Sequence, residues 1–226
     1  EKNFTGNNKG EKFLNVPVSF DIETTSFYRD ADGETYSYDR YIKLGGKDTK
    51  MEKCSLMYVW QFGINGFCII GRTWDEFIKM LSEIVTLLDL NQKRRIIIYV
   101  HNLAYEFQFI RELLQWEKVF SIDLRKPIYG ITKDGLEFRC SYLLSGYSLA
   151  KLGEQLHTYK CAKLVGDLDY SLLRHSKTPL TQKEIGYCLN DIKVVMCYVQ
   201  ELIERYKGIT KLPLTKTGFV RKYCRS

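Results

Sequence analysis

The chain has 226 residues, 45% hydrophobic and 27% charged, with 34 Lys and Arg against 27 Asp and Glu and a formal net charge of +7. That is enough chain for a real core, and no stretch approaches the ~18 to 20 apolar residues of a membrane span. The opening EKNFTGNNKGEK carries no apolar signal core, so no membrane partner and a cytoplasmic location are expected. The seven cysteines form no C-x-x-C pair, which fits neither a disulfide framework nor a zinc site and points to free thiols. The basic surplus is compatible with a polyanionic partner. The sixteen tyrosines would suit base stacking or simply a core.

Residues 1–15 read as a disordered or loosely held lead-in. VPVSFDIE then reads as a strand. Residues 29–53 are polar and rich in turn formers and read as an insertion, in which ETYSYDRYIKL alternates enough for a hairpin. CSLMYVWQFGINGFCIIGRT predicts a hairpin turning at Asn65-Gly66. From Trp74 the apolar spacing is helical, with Asp75 and Glu76 at the favourable end. RRIIIYVHN predicts a strand buried on both faces, followed by a helix over AYEFQFIRELLQ. KVFSIDL and LEFRCSYLL read as strands separated by a turn at KDG. Ser148 is a candidate cap for a short helix weakened by Gly153. Thr181 and Glu184 form a capping-box pattern opening a long helix to about Tyr206. Strands early and helices interleaved predict a mixed-sheet α/β domain.

Three acidic pieces stand out. Asp21 and Glu23, two apart on a strand, project to the same side and repel unless a cation lies between them. Oxygen-only ligands of this kind favour magnesium or manganese. Glu106 enters at a helix start just after a buried strand, where catalytic groups of α/β sheets collect. Tyr187 and Asp191 stand at i and i+4 on one helix face. Each piece alone has a plain structural explanation: a solvated edge pair, a helix-start acid, a surface Tyr-Asp contact.

In the order D-x-E, N-x-x-Y-E, Y-x-x-x-D, the set resembles the three motifs of DEDD-type 3′–5′ exonucleases with the tyrosine form of the third. HNL before the second piece, VGDLDY at 165–170, TPLTQKE and LPLTKTGFVR narrow the resemblance to protein-primed family B DNA polymerases of the phage type, from about residue 16 onward. The resemblance implies a ribonuclease-H-like mixed sheet flanked by helices, with residues 16–208 as the exonuclease domain and 209–226 leading toward a polymerase module. It implies two divalent metal ions, Mg2+ or Mn2+, held by Asp21, Glu23, Glu106 and Asp191. Tyr187 would orient the attacking water, and nucleoside monophosphates would leave from the 3′ end of single-stranded DNA. Thr24, Asn102, Tyr105, Ser141 and Tyr170 match positions that hold the 3′ end, with Tyr99 and His101 as weaker candidates. The family places Asp where this chain has Glu106. It also commonly has a lysine where Val165 stands, so either Lys163 or Lys160 substitutes or that function is missing.

Proofreading in DNA replication is the implied role, with a polymerase module and a terminal priming protein as partners in a bacterial-host cytoplasm. The palm carboxylates and nucleotide-binding motifs of that module are not among these residues, so no polymerisation is expected of them. A catalytically weak DNA-binding or partner-binding module on the same fold is the alternative, with a ribonuclease-H-like endonuclease or recombinase ranked last.

Overall fold

The computed structural model describes residues 3–123, 126–164, 168–169 and 172–224. The chain begins with two short antiparallel strands, β1 (Phe4–Gly6) and β2 (Lys12–Leu14). This corrects the expectation of a loose lead-in. Phe13 and Leu14 are buried, and the Arg94 guanidinium lies 3.6 Å over the Phe4 ring, so apolar anchors every few residues outweigh the polar composition.

β3 (Val18–Arg29) is longer than the expected strand. It pairs antiparallel with β5 (Glu52–Ile64) along its whole length. Between them the insertion forms β4 (Thr35–Tyr36) and a helix, α1 (Tyr38–Lys43), instead of the predicted hairpin. Ser37 caps α1 by accepting a bond from the Arg40 N–H, and Tyr41 turns inward to stack on Tyr28, so capping and one ring contact decide against extended structure. β5 turns into β6 (Phe67–Gly71) through Asn65 and Gly66, whose φ values of 48° and 88° are those of the predicted type I′ turn.

α2 (Trp74–Leu88) starts at a capping box formed by Thr73 and Glu76. β7 (Arg94–Val100) follows, then α3 (Leu103–Ile110). β8 (Trp116–Ser121), β9 (Pro127–Thr132) and β10 (Leu136–Cys140) complete the sheet, β9 being a strand that PIYGIT did not announce. Short helices α4 (Ser141–Ser145) and α5 (Leu149–Glu154) precede α6 (Gln182–Tyr206) and α7 (Lys216–Tyr223). Ser148 caps α5, and the Thr181–Glu184 capping box opens α6, both as predicted.

Among the described residues the strands form one mixed sheet, ordered β6-β5-β3-β7-β10-β9-β8, with β1, β2 and β4 attached at its margins. β7 is parallel to β3 and β10, and Ile96, Ile98 and Val100 face one core while Ile97 and Tyr99 face the other. The first core holds Phe77 and Leu81 of α2 with Leu103 and Ile110 of α3; the second holds residues of α4, α5 and α6. This is the ribonuclease-H-like layout of a mixed sheet with helices on both faces. Among the described residues no helix is long and apolar enough to cross a membrane.

Candidate functional site

The β3–β5 ladder breaks register at one place, directly after Glu23. Glu23 lies opposite Val59 and Thr24 opposite Met57, leaving Tyr58 as an extra residue on β5. Such a bulge bends a strand and re-aims its side chains. The Tyr58 carbonyl accepts from Arg72 Nε at 2.8 Å, and its ring packs with Leu168, Tyr187 and Cys188 in a third cluster. α6 thereby rests against the acidic side of β3.

One oxygen from each of Asp21, Glu23 and Asp191 comes within 4.8 Å of the others. Glu106 joins them, its side chain hydrogen-bonded to Asp21. Glu23, Glu106 and Asp191 are only 7%, 4% and 8% exposed. Gln61, paired with Asp21 across the ladder, donates from Nε2 to Asp21 Oδ2 at 2.7 Å. Burial first, and then the Asp191 charge, push the Asp21 carboxyl up to about 7. Burial and the Asp21 charge raise Glu106 well above the usual carboxylate range. Burial also raises Asp191, against the pull of Lys163. Glu106 Oε2 and Asp191 Oδ1 are buried without a hydrogen-bond partner. Four acidic groups compressed in this way, with two orphaned acceptors and only oxygen donors, fit a divalent cation.

Lys163 Nζ stands 3.5 Å from Asp191 Oδ2 and 5.8 Å from the centre of the Tyr187 ring. Two features hold it there. Asn190 donates to the Ala162 carbonyl at 3.1 Å and accepts from the Leu164 N–H at 2.8 Å, tying the segment to α6. Gly153 lets the same segment approach α5, since a β-carbon there would lie 2.9 Å from the Cys161 carbonyl. The glycine that weakens α5 is what lets this segment pack closely against it. Lys160 is exposed, and Val165 lies outside the described residues.

The 172–180 segment is held against β3 and α6. Thr25 Oγ1 donates to the Leu172 carbonyl at 3.0 Å and accepts from the Arg174 N–H at 3.1 Å. Arg174 forms a buried 2.6 Å ion pair with Glu184, whose other oxygen completes the α6 capping box. Arg72 reaches across to the carbonyls of His175 and Thr178.

The remaining sequence candidates divide. Thr24 and Tyr105 meet hydroxyl to hydroxyl at the rim, beside an exposed Asn102. Half-buried His101 makes a 3.2 Å hydrogen bond to Ser141, which is fully buried; burial and the Lys163 charge lower the imidazole to about 4, so it is neutral at pH 7. Tyr99 is a correction: at 1% exposure it packs in the second core, because alternation along β7 turns it inward. Tyr170 lies outside the described residues. Gln61, Asn190 and Arg174 escaped the sequence reading. Their signals were single polar residues: one inside the apolar run YVWQFG, one inside a helix where Asn is a poor helix former, and one in a loop.

The fold is shared with part of phi29 DNA polymerase. That polymerase complexed with primer-template DNA and incoming nucleotide substrates matches with a TM-score of 0.59 and 15% identity, over 85% of this chain and 32% of the other. Complexed with single-stranded DNA it gives 0.57 and 15%, over 84% and 32%. An orthorhombic crystal form gives 0.57 and 16%, over 91% and 32%. The chain thus spans about a third of the length of these polymerases. No protein-family model matches the sequence, and no curated protein matches it.

Proposed function

We propose that the chain is a metal-dependent 3′–5′ exonuclease that removes nucleoside monophosphates from single-stranded DNA, as the proofreading part of a DNA polymerase. The observation that carries this reading is the convergence of Asp21, Glu23 and Asp191, with Glu106 bonded to Asp21, in a buried site. Asp21, Glu23 and Asp191 would hold one divalent ion, and Asp21 with Glu106 a second. Bound there, magnesium or manganese would supply the positive charge that stabilises the attacking and departing oxygens of a phosphodiester.

The chain's own groups do the positioning. Thr24, Tyr105 and Asn102 line the rim where terminal nucleotides enter, offering hydroxyls and an amide to sugar and phosphate. Tyr187, one turn before Asp191, orients the attacking water. Lys163 is the cation available to the scissile phosphate once Asp191 turns to a metal. Water adds to phosphorus, the bond to the 3′ oxygen breaks, and that oxygen takes the proton. Neutral His101 keeps Ser141 in place without adding charge. A polymerase module and a priming protein are the partners this role implies, in the host cytoplasm.

The test is a 5′-labelled single-stranded oligonucleotide incubated with magnesium, manganese or a chelator. A metal-dependent ladder shrinking one nucleotide at a time is expected. An intact oligonucleotide that still shifts on a gel overturns catalysis in favour of a binding module.

A further inference from the structure

The β3–β5 ribbon continues past the carboxylates, and its outer part is not explained by them. Opposed residues of an antiparallel pair share a face, and so do residues two apart. Thr24 with Met57, Ser26 with Ser55, and Tyr28 with Lys53 therefore line one face in succession. It continues the Phe20 and Ile22 side of β3, the side away from Asp21 and Glu23, and meets the rim of the site at the Thr24–Tyr105 contact. It ends at a tier of rings, where Tyr41 stacks on Tyr28 at 3.6 Å and Tyr38 lies 6.4 Å from Tyr41. The distance from Thr24 to Tyr28 is four strand residues, roughly 13 Å.

Tyr28 and Tyr41 are buried against each other, but Tyr38 is 49% exposed. Around it the surface carries both signs of charge. Arg40, Lys43, Lys47, Lys50 and Lys53 are exposed, as are Asp39 beside Tyr38, Asp48 and Glu52, and Glu52 is paired with Arg29 at 3.1 Å. Two serine hydroxyls, a lysine and an open aromatic ring are groups that can track a single strand: donors for phosphates and a face for a base.

We propose that this arm, built from the outer β3–β5 ribbon and α1, is a second contact for single-stranded nucleic acid, taking the part of the strand that leaves the carboxylate site. Ser26, Ser55 and Lys53 meet its phosphates, and Tyr38 stacks on a base. The inference rests on the exonuclease reading for the direction of the strand. The insertion thus extends the substrate path and gives the protein a preference for longer strands.

The experiment compares wild type with Tyr38→Ala and Lys53→Ala on a trinucleotide and a 20-mer of single-stranded DNA, with circular dichroism and thermal melts to confirm folding. Binding is measured by fluorescence anisotropy in chelator, and hydrolysis in magnesium. The ratio of kcat/KM for the 20-mer to that for the trimer should fall about tenfold in Tyr38→Ala, the scale of losing one stacked base. Lys53→Ala should lessen the salt dependence of 20-mer binding. An unchanged length ratio and unchanged 20-mer affinity would overturn the arm. If wild type cleaves nothing, the exonuclease reading fails, while the anisotropy series still decides whether the arm binds.

Discussion

β3 and β7 run side by side, and they solve burial in opposite ways. β7 is carbon on both faces and satisfies each with a separate core. β3 gives Phe20 and Ile22 to the first core but places Asp21 and Glu23 on its other side, where a carboxylate cluster takes the place of packing. The apolar strand holds the frame, and the acidic one spends stability to keep charges together. Local rules of folding tend to be broken where chemistry is done.

The contrast can be broken most sharply at Asp21. Asp21→Ala should cut hydrolysis by about a hundred- to a thousandfold, the scale of losing one strong electrostatic stabiliser. A melting temperature at or above wild type would show that the loss is chemical. A retained rate would remove the cluster from catalysis.

The frame should respond in the other sense. Phe13→Ala, in the N-terminal strand pair, empties a buried site in the second core and should cost about 3 kcal/mol in urea unfolding. Activity per folded molecule should stay near wild type. A negligible stability change would return residues 1–15 to the status of a loose lead-in.

The acidic side also predicts a pH dependence. Asp21 titrates at about 7 in the folded protein, against an ordinary value of 3.8, and Glu106 and Asp191 are shifted the same way. Groups with raised values bind more protons folded than unfolded. Their contribution to stability is therefore full below about pH 4 and lost as pH rises through about 7. Melts of metal-free protein should weaken across that window. Magnesium or manganese should restore stability at pH 8, with protons released on binding. A flat profile, or no response to either ion, would mean the charges are relieved some other way.

Glu106→Gln is the smallest and most discriminating change. At low pH, where the raised carboxyl keeps its proton, the amide is a close isostere, so stability should scarcely move. At high pH, once the carboxyl ionises, the substitution removes a repelling charge and should stabilise metal-free protein by about 1 kcal/mol, while hydrolysis falls. Equal effects at both pH values would mean that Glu106 is not compressed against Asp21.

Much of this was legible in the sequence where a pattern repeats or a turn demands a residue type. The β7 run, the Asn65-Gly66 turn, and the capping box of α6 gave elements in the right places, and D-x-E gave a shared face. What the sequence did not announce depended on partners far along the chain. α1 replaced a hairpin because Tyr41 finds Tyr28. β9 was hidden because PIYGIT is short and begins with proline. Lys163 could be preferred over Lys160 only once Asn190 and Gly153 were seen to hold its segment against two helices.

The Thr25 clasp has a kinetic corollary. Its two bonds join residues 147 and 149 positions apart, and the cluster itself needs Asp191 beside Asp21. Loop closure over such spans is slow compared with forming neighbouring strands and helices. Intermediates on the folding route can therefore own most of the sheet and still lack the site. A polypeptide built this way lacks its carboxylate cluster until its last long helix has docked, so whatever chemistry the cluster performs arrives with the completed fold and not before it.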